Sequence, residues 1–255
     1  SRVAVTPFGW HERCGVMGIL TEDGNAAERV LYGLQALQHR GQESTGIAAA
    51  SGGTEIRLHK AMGLVSEVFD RDTVGRLEGD IAIGHVLYSK GGPRGISDAE
   101  PLLFHYPGGD LAIACNGCVV YAEELRASLG ASGAAFQTTS DAEIIGCLLA
   151  KHGGKRLEDR VEGCMQELEG AYSAVMATAT MLAAMRDPHG FRPLCLGALP
   201  TGWAVASESC ALDVVGAELL REVDPGEIVI MDRSGLRQVQ GRAAAGRRSM
   251  CIFEY

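Results

Sequence analysis

No stretch of the sequence is apolar for the roughly 20 residues that a bilayer-spanning helix needs. The opening residues, SRVAVTPFGWHER, lack the long apolar centre of a secretory signal. Positive charge is in short supply: 23 Lys and Arg stand against 32 Asp and Glu, for a net charge of −9. Such a balance suits neither the phosphates of nucleic acid nor an anionic membrane surface. The eight cysteines show no framework spacing, and a 255-residue chain with 46% hydrophobic residues has core enough to fold without disulfide staples. No internal repeat is present either. These absences lead to the expectation of an acidic cytoplasmic protein with reduced thiols and with no nucleic-acid or membrane partner.

What is present is a series of short apolar runs. VMGIL (16–20), STGIAAA (44–50), DIAIGHVLY (80–88) and DLAIACN (110–116) have strand length, as do AYSAVMAT (171–178), TMLAAMR (180–186), WAVASE (203–208) and EIVIMD (227–232). Helical spacing appears over 25–39, where Ala27, Val30, Leu31, Leu34 and Leu37 make one apolar face. Residues 121–130 form a second helix, ending on a glycine suited to its C-terminus. Residues 138–154 form a third, which Ser140 and Glu143 are expected to open as a capping box, and 156–170 a fourth. Strands dominate both ends and helices the middle. This pattern predicts two sheets covered by helices rather than alternating βαβ units.

Cys14 stands at the head of the first strand run, behind thirteen residues. Taken alone it reads as a buried structural thiol. Asn116–Gly117 reads as a hairpin turn, and Asp141 as a favourable charge in a helix first turn. Asp187 and His189 in RDPHG read as turn chemistry. Five stretches change the first three readings when taken together with Cys14: LQHRGQES (37–44), IACNGCV (113–119), FQTTSDAE (136–143), RDPHGFRPL (186–194) and ASESCALDVVGAE (206–218). In this order they resemble the glutamine-hydrolysing half of amidophosphoribosyltransferases, which are class II glutamine amidotransferases. The resemblance implies an α/β (α+β) four-layer αββα sandwich of the N-terminal-nucleophile hydrolase type. It makes Cys14 the nucleophile and Ser1–Arg13 a removable leader. Once N-terminal, Cys14 would use its own α-amine, with an ordinary pKa near 8, as base toward its thiol. Asn116 and Gly117 match the family's oxyanion hole. Asp141 matches the acid that holds the glutamine α-ammonium, and Arg40 and Gly41 match the turn bordering the pocket.

The chain departs from that pattern in the glutamine pocket. GHVLYSK (84–90) puts Leu87 and Lys90 where the family carries a carboxylate-binding arginine and a supporting threonine. Losing a charge-assisted clamp costs about 2–5 kcal/mol. Beside the oxyanion motif, Cys115 and Cys118 replace a histidine and an asparagine. The expected division is a leader over 1–13, an amidotransferase-like domain over 14–240, and a linker and tail over 241–255 without the family's phosphoribosyltransferase domain. Cys251 alone cannot hold an iron–sulfur cluster, so no metal and no cofactor is expected. The leading expectation is amide or acyl transfer through a Cys14 thioester, from a small-molecule donor other than free glutamine. An ordinary glutaminase supplying ammonia to a separate synthase or acceptor protein is the first alternative. A non-catalytic relative kept as a binding module is the second, and assembly into a homo-oligomer stays open.

Overall fold

The computed structural model describes residues 14–51, 55–88, 95–106, 109–153 and 156–244. The leader Ser1–Arg13, Lys90 and the tail from residue 245 onward lie outside the described residues. Two antiparallel sheets face each other. The first contains β1 (Gly15–Thr21), β2 (Ser44–Ala50), β3 (Ile56–Met62), β4 (Ile81–Leu87), β9 (Cys195–Leu199), β10 (Gly202–Ala206) and β11 (Glu218–Glu222), in the order β11-β9-β10-β1-β4-β2-β3. The second contains β5 (Leu102–Tyr106), β6 (Gly109–Val119), β7 (Gly170–Ala177), β8 (Leu182–Arg186), β12 (Glu227–Asp232) and β13 (Gly235–Gln240), in the order β13-β12-β8-β7-β6-β5.

Helices cover the outer faces. α1 (Ala26–Ala36), the short α2 (Val65–Val68) and α3 (Arg71–Gly75), and α7 (Ser209–Val214) pack on the first sheet through Val30, Leu34, Val65 and Leu212. α4 (Ala122–Ala131), α5 (Asp141–Lys151) and α6 (Leu157–Glu167) pack on the second through Leu129, Ile144, Leu148, Val161 and Met165. A third apolar cluster, including Val16, Ile83, Ala112, Ala114, Val175 and Val205, fills the space between the sheets. The four-layer αββα expectation holds. Because both faces of each sheet are covered, interior strands such as β1, β2 and β4 are buried at every position. They therefore read in the sequence as continuous apolar runs instead of alternating ones.

Two helix ends differ from their sequence reading. α4 runs past Gly130 to Ala131, and the left-handed residue after it is Gly133, at φ +100°. Ser140 does cap α5, accepting from the Ala142 amide at 3.0 Å. Glu143, however, reaches back beyond the cap to the amides of Gln137 (2.7 Å) and Thr138 (2.9 Å). The capping box is thus replaced by a carboxylate that pins the loop entering α5. Among the described residues no helix is long and apolar enough to cross a membrane.

Candidate active site

Cys14 immediately precedes β1, a strand in the middle of the first sheet, next to the end of β4. Its Sγ lies 3.6 Å from the Tyr88 carbonyl oxygen. Three hydrogen bonds from two residues hold the backbone here. Arg40 Nε donates to the Cys14 carbonyl at 2.9 Å. Val16 N donates to Ser207 Oγ at 3.0 Å, and Ser207 N returns a bond to Val16 O at 3.0 Å. Arg40 is itself buried, and its Nη1 pairs with Glu208, which also meets His39 Nε2 at 3.1 Å. Burial would raise the Glu208 carboxyl, but the Arg40 hydrogen bond and charge, with His39, outweigh it and hold the group below its ordinary value.

Asn116 and Gly117 come from β6 in the opposite sheet, and with Cys14 they line a cavity of about 310 Å3. Asn116 is 1% exposed, and its Nδ2 has no hydrogen-bond partner among the described residues. A buried amide donor left unpaired costs about 1–3 kcal/mol, so its place on the cavity that Cys14 also lines is a chemical signal. Gly117 sits at φ +152°, and a Cβ built there would lie 2.1 Å from the Ala171 carbonyl oxygen. Only glycine lets the chain pass this close to β7. Asp141, the first residue of α5, lines the same cavity, and its Oδ2 accepts from Val119 N at 2.9 Å. The helix N-terminus favours negative charge at that position.

Leu87 also lines the cavity and is 4% exposed, so an apolar surface stands there. Arg40 and Gly41 are not among the lining residues. Arg40 acts on the Cys14 backbone. Gly41 lets a turn approach the end of β4, where an added Cβ would come within 2.6–2.7 Å of the Val86 and Leu87 backbone. Cys115 and Cys118 both contribute to the lining. Burial, followed by the nearby Glu100 and Asp141 charges, pushes the Cys115 thiol well up. It therefore stays protonated at neutral pH and is a poor nucleophile. Asp187 accepts from the amides of His189 (2.9 Å), Tyr172 (3.3 Å) and Arg192 (3.3 Å), which is the turn-building role read from RDPHG.

Sequence reasoning missed several lining residues: Glu100, Glu123, Arg126 and Arg192. Arg192 lies inside the RDPHGFRPL stretch, which marked its place without indicating a task. Glu100 carried no signal beyond the proline that follows it. A larger cavity of about 780 Å3 lies at the other end of β1, lined by Thr21, Asp80, Trp203 and Arg233 among others. It contains none of the expected site residues, so the smaller cavity is the candidate site on chemical grounds. No cluster of His, Cys, Asp and Glu among the described residues could hold a metal ion.

Residues 95–214 match the family described as a glutamine amidotransferase domain, a span that includes Asn116, Gly117 and Asp141 but not Cys14. The chain is 41% identical to an amidophosphoribosyltransferase from Bacillus subtilis over 248 residues, covering 97% of this chain and 52% of that one. It is 41% identical to an amidophosphoribosyltransferase from Archaeoglobus fulgidus over 245 residues, covering 95% of this chain and 53% of the other. A solved structure of the glutamine phosphoribosylpyrophosphate amidotransferase from B. subtilis, complexed with ADP and GMP, superposes with a TM-score of 0.87. It is 40% identical and covers 93% of this chain and 51% of that one. The chain thus spans about half the length of the curated relatives it matches.

Proposed function

We propose that this chain, which matches a glutamine amidotransferase domain over residues 95–214 and is similar to amidophosphoribosyltransferases along most of its length, moves the acyl part of an amide donor through a thioester on Cys14. The observation that supports this most is the unpaired, buried Asn116 Nδ2 in the cavity that Cys14 lines. That donor is suited to the negative oxygen of a tetrahedral intermediate.

With Cys14 freed as the N-terminal residue, its α-amine takes the thiol proton. The thiolate then attacks the donor's carboxamide carbon, and the carbonyl electrons move onto oxygen, facing Asn116 Nδ2 and Gly117. The protonated amine gives its proton to the leaving nitrogen, the C–N bond breaks, and ammonia departs. Water, deprotonated by the same amine, attacks the thioester carbon. The acid is released and the Cys14 thiol is restored. Arg40 serves this sequence as a positioning residue through the Cys14 carbonyl.

We extend the proposal to the donor. Asp141 suits a cationic group on it, but Leu87 presents an apolar wall where a carboxylate would need a cation. A donor with an ammonium and a less polar tail fits better than free glutamine. The cavity also contains Arg126 and Arg192, and this favours a second reading: an ordinary glutaminase in which one of them receives the α-carboxylate. A separate synthase or acceptor protein for the ammonia belongs to that second reading.

Ammonia release from L-glutamine separates the two. The altered-donor reading expects feeble turnover by the wild type and a rise of at least about tenfold in Leu87→Arg with Lys90→Thr, because a restored charge pair is worth several kcal/mol. Both proteins are first shown by intact mass to begin at Cys14. Brisk wild-type turnover would refute the altered donor in favour of the arginine-assisted glutaminase. No gain in a processed double variant would refute the restored-clamp argument.

A further inference from the structure

The cavity wall includes a buried carboxylate that the chemistry above does not use. Glu100 is 5% exposed. The β5–β6 register pairs Leu102 with Ile113, which puts Glu100 opposite Cys115. Pro101 ends the ladder there, and the Glu100 side chain takes over: Oε2 accepts from Cys115 N at 2.6 Å. Oε1 accepts from Ser140 Oγ at 2.5 Å, and Ser140 Oγ in turn accepts from Ala142 N to cap α5. On its other side the Cys115 peptide is held as well, its carbonyl 3.2 Å from His85 Nε2.

One carboxylate therefore joins the residue just before Asn116 to the residue just before Asp141. These two groups face the two ends of a bound donor: the reacting carbonyl and the ammonium. We propose that Glu100 is a positioning residue whose ionised carboxylate sets the spacing between Asn116 and Asp141, so that protonating it loosens the site. This rests on the reading of Cys14, Asn116 and Asp141 given above.

The ionised form is the one that fits both donors, since each carboxylate oxygen accepts one N–H or O–H. A neutral acid must place its own proton on one oxygen: on Oε2 it opposes the Cys115 amide, and on Oε1 it reverses the Ser140 bond, the hydroxyl turning to accept in place of donating. Charge-assisted bonds are roughly twice as strong as neutral ones, so the tie weakens. Burial pushes the Glu100 carboxyl up, against the Ser140 and Cys115 hydrogen bonds, to about 7. The groups facing it are His85 from β4, whose Nε2 is 3.7 Å from Oε2, Lys60 from β3, Cys115 from β6 and Asp141 from α5. The Asp141 charge adds to the upward shift and the Lys60 charge opposes it. A group raised in this way changes state in the neutral range, where an ordinary glutamate would not.

The test pairs a structural readout with a kinetic one, using wild type and Glu100→Gln. In isotope-labelled protein, the Cys115 amide resonance is followed through pH. It should move in a single step near neutrality in the wild type and stay flat in Glu100→Gln, whose amide oxygen still accepts from Cys115. Ser140→Ala, which removes a bond favouring the charged form, should shift the midpoint upward. The wild-type-to-variant ratio of acylation rates at Cys14 should fall about tenfold from pH 8 to pH 6, as the ionised fraction does. A flat Cys115 resonance in the wild type, or the same step in both proteins, would overturn the proposal. So would a rate ratio that does not change with pH. If Cys14 cannot be acylated at all, the reading of the site fails, while the amide titration still decides whether Glu100 controls the strand.

Discussion

Replacing Asn116 with alanine separates a catalytic amide from a structural one. The Asn116 side chain is buried, its Nδ2 unpaired among the described residues, and its backbone is held in the ladder opposite Ser173. Removing an oxyanion donor lowers the chemical rate by about 10²–10³, or about 2.7–4 kcal/mol. Stability should behave differently. Truncation relieves an unpaired amide worth about 1–3 kcal/mol and opens a small void costing a comparable amount. The net change should be within about 1 kcal/mol, or about 2–4 °C in Tm for a domain of this size. Acylation of Cys14 by a small p-nitrophenyl ester, read as p-nitrophenolate release, measures the chemical step without assuming the natural donor. Cys14→Ala provides the zero. Asn116→Asp keeps the shape but offers a negative acceptor to a negative oxygen, and should be at least as slow as Asn116→Ala. An alanine variant acylated within a factor of about three of wild type would refute the oxyanion role. So would a large loss of Tm, which would mean that the amide has structural work.

Two further predictions concern the support around Cys14. Arg40→Met removes the bond to the Cys14 carbonyl and leaves Glu208 with His39 beside it but without its buried guanidinium partner. Breaking a buried pair costs about 3–5 kcal/mol, and because the Glu208 side chain is 29% exposed we expect about 2 kcal/mol by denaturant unfolding, discounted for solvent screening. Glu208 is held below its ordinary value of 4.5, so its contribution is complete above that pH and fades as pH falls through the depressed value. The stability gap between wild type and Arg40→Met should therefore narrow only in the acid range, and a gap that closes near neutrality would contradict the assignment. Gly41→Ala should cost about 1–3 kcal/mol through overpacking, because the new Cβ meets backbone at 2.6–2.7 Å. It should also slow Cys14 acylation by displacing the end of β4; unchanged Tm and rate would show that the approach is looser than the distances indicate.

Much of the architecture was legible in the residues, and the parts that were not share a physical cause. The eight apolar runs all became strands, because covered sheets leave their interior strands uniformly apolar. Of the five unrecognised strands, β3, β5, β11 and β13 are the four sheet edges. Edge strands such as ELLRE and GLRQVQ are largely exposed and carry charge, so their composition resembles that of loops. The four long helices were all legible, α1 from its apolar face, but the ends of α4 and α5 were set by Gly133 and by Glu143 reaching back to Thr138.

At the site, the resemblance carried by the ordered motifs brought forward Cys14, Asn116, Gly117 and Asp141, and the fold brings all four to one cavity. What the others do depends on partners far away in sequence. Arg40 holds the Cys14 carbonyl while anchored to Glu208, 168 residues on. Glu100 reaches Ser140 across 40 residues and Cys115 across 15. Those distances are closed by sheet register and by the packing of α5 on the second sheet. A carboxylate in a local sequence looks solvated until the fold removes its water. The sequence by itself determined which groups could do the chemistry. The tertiary structure decided which groups hold them in place, since burial and long-range hydrogen bonds exist only once the layers have closed.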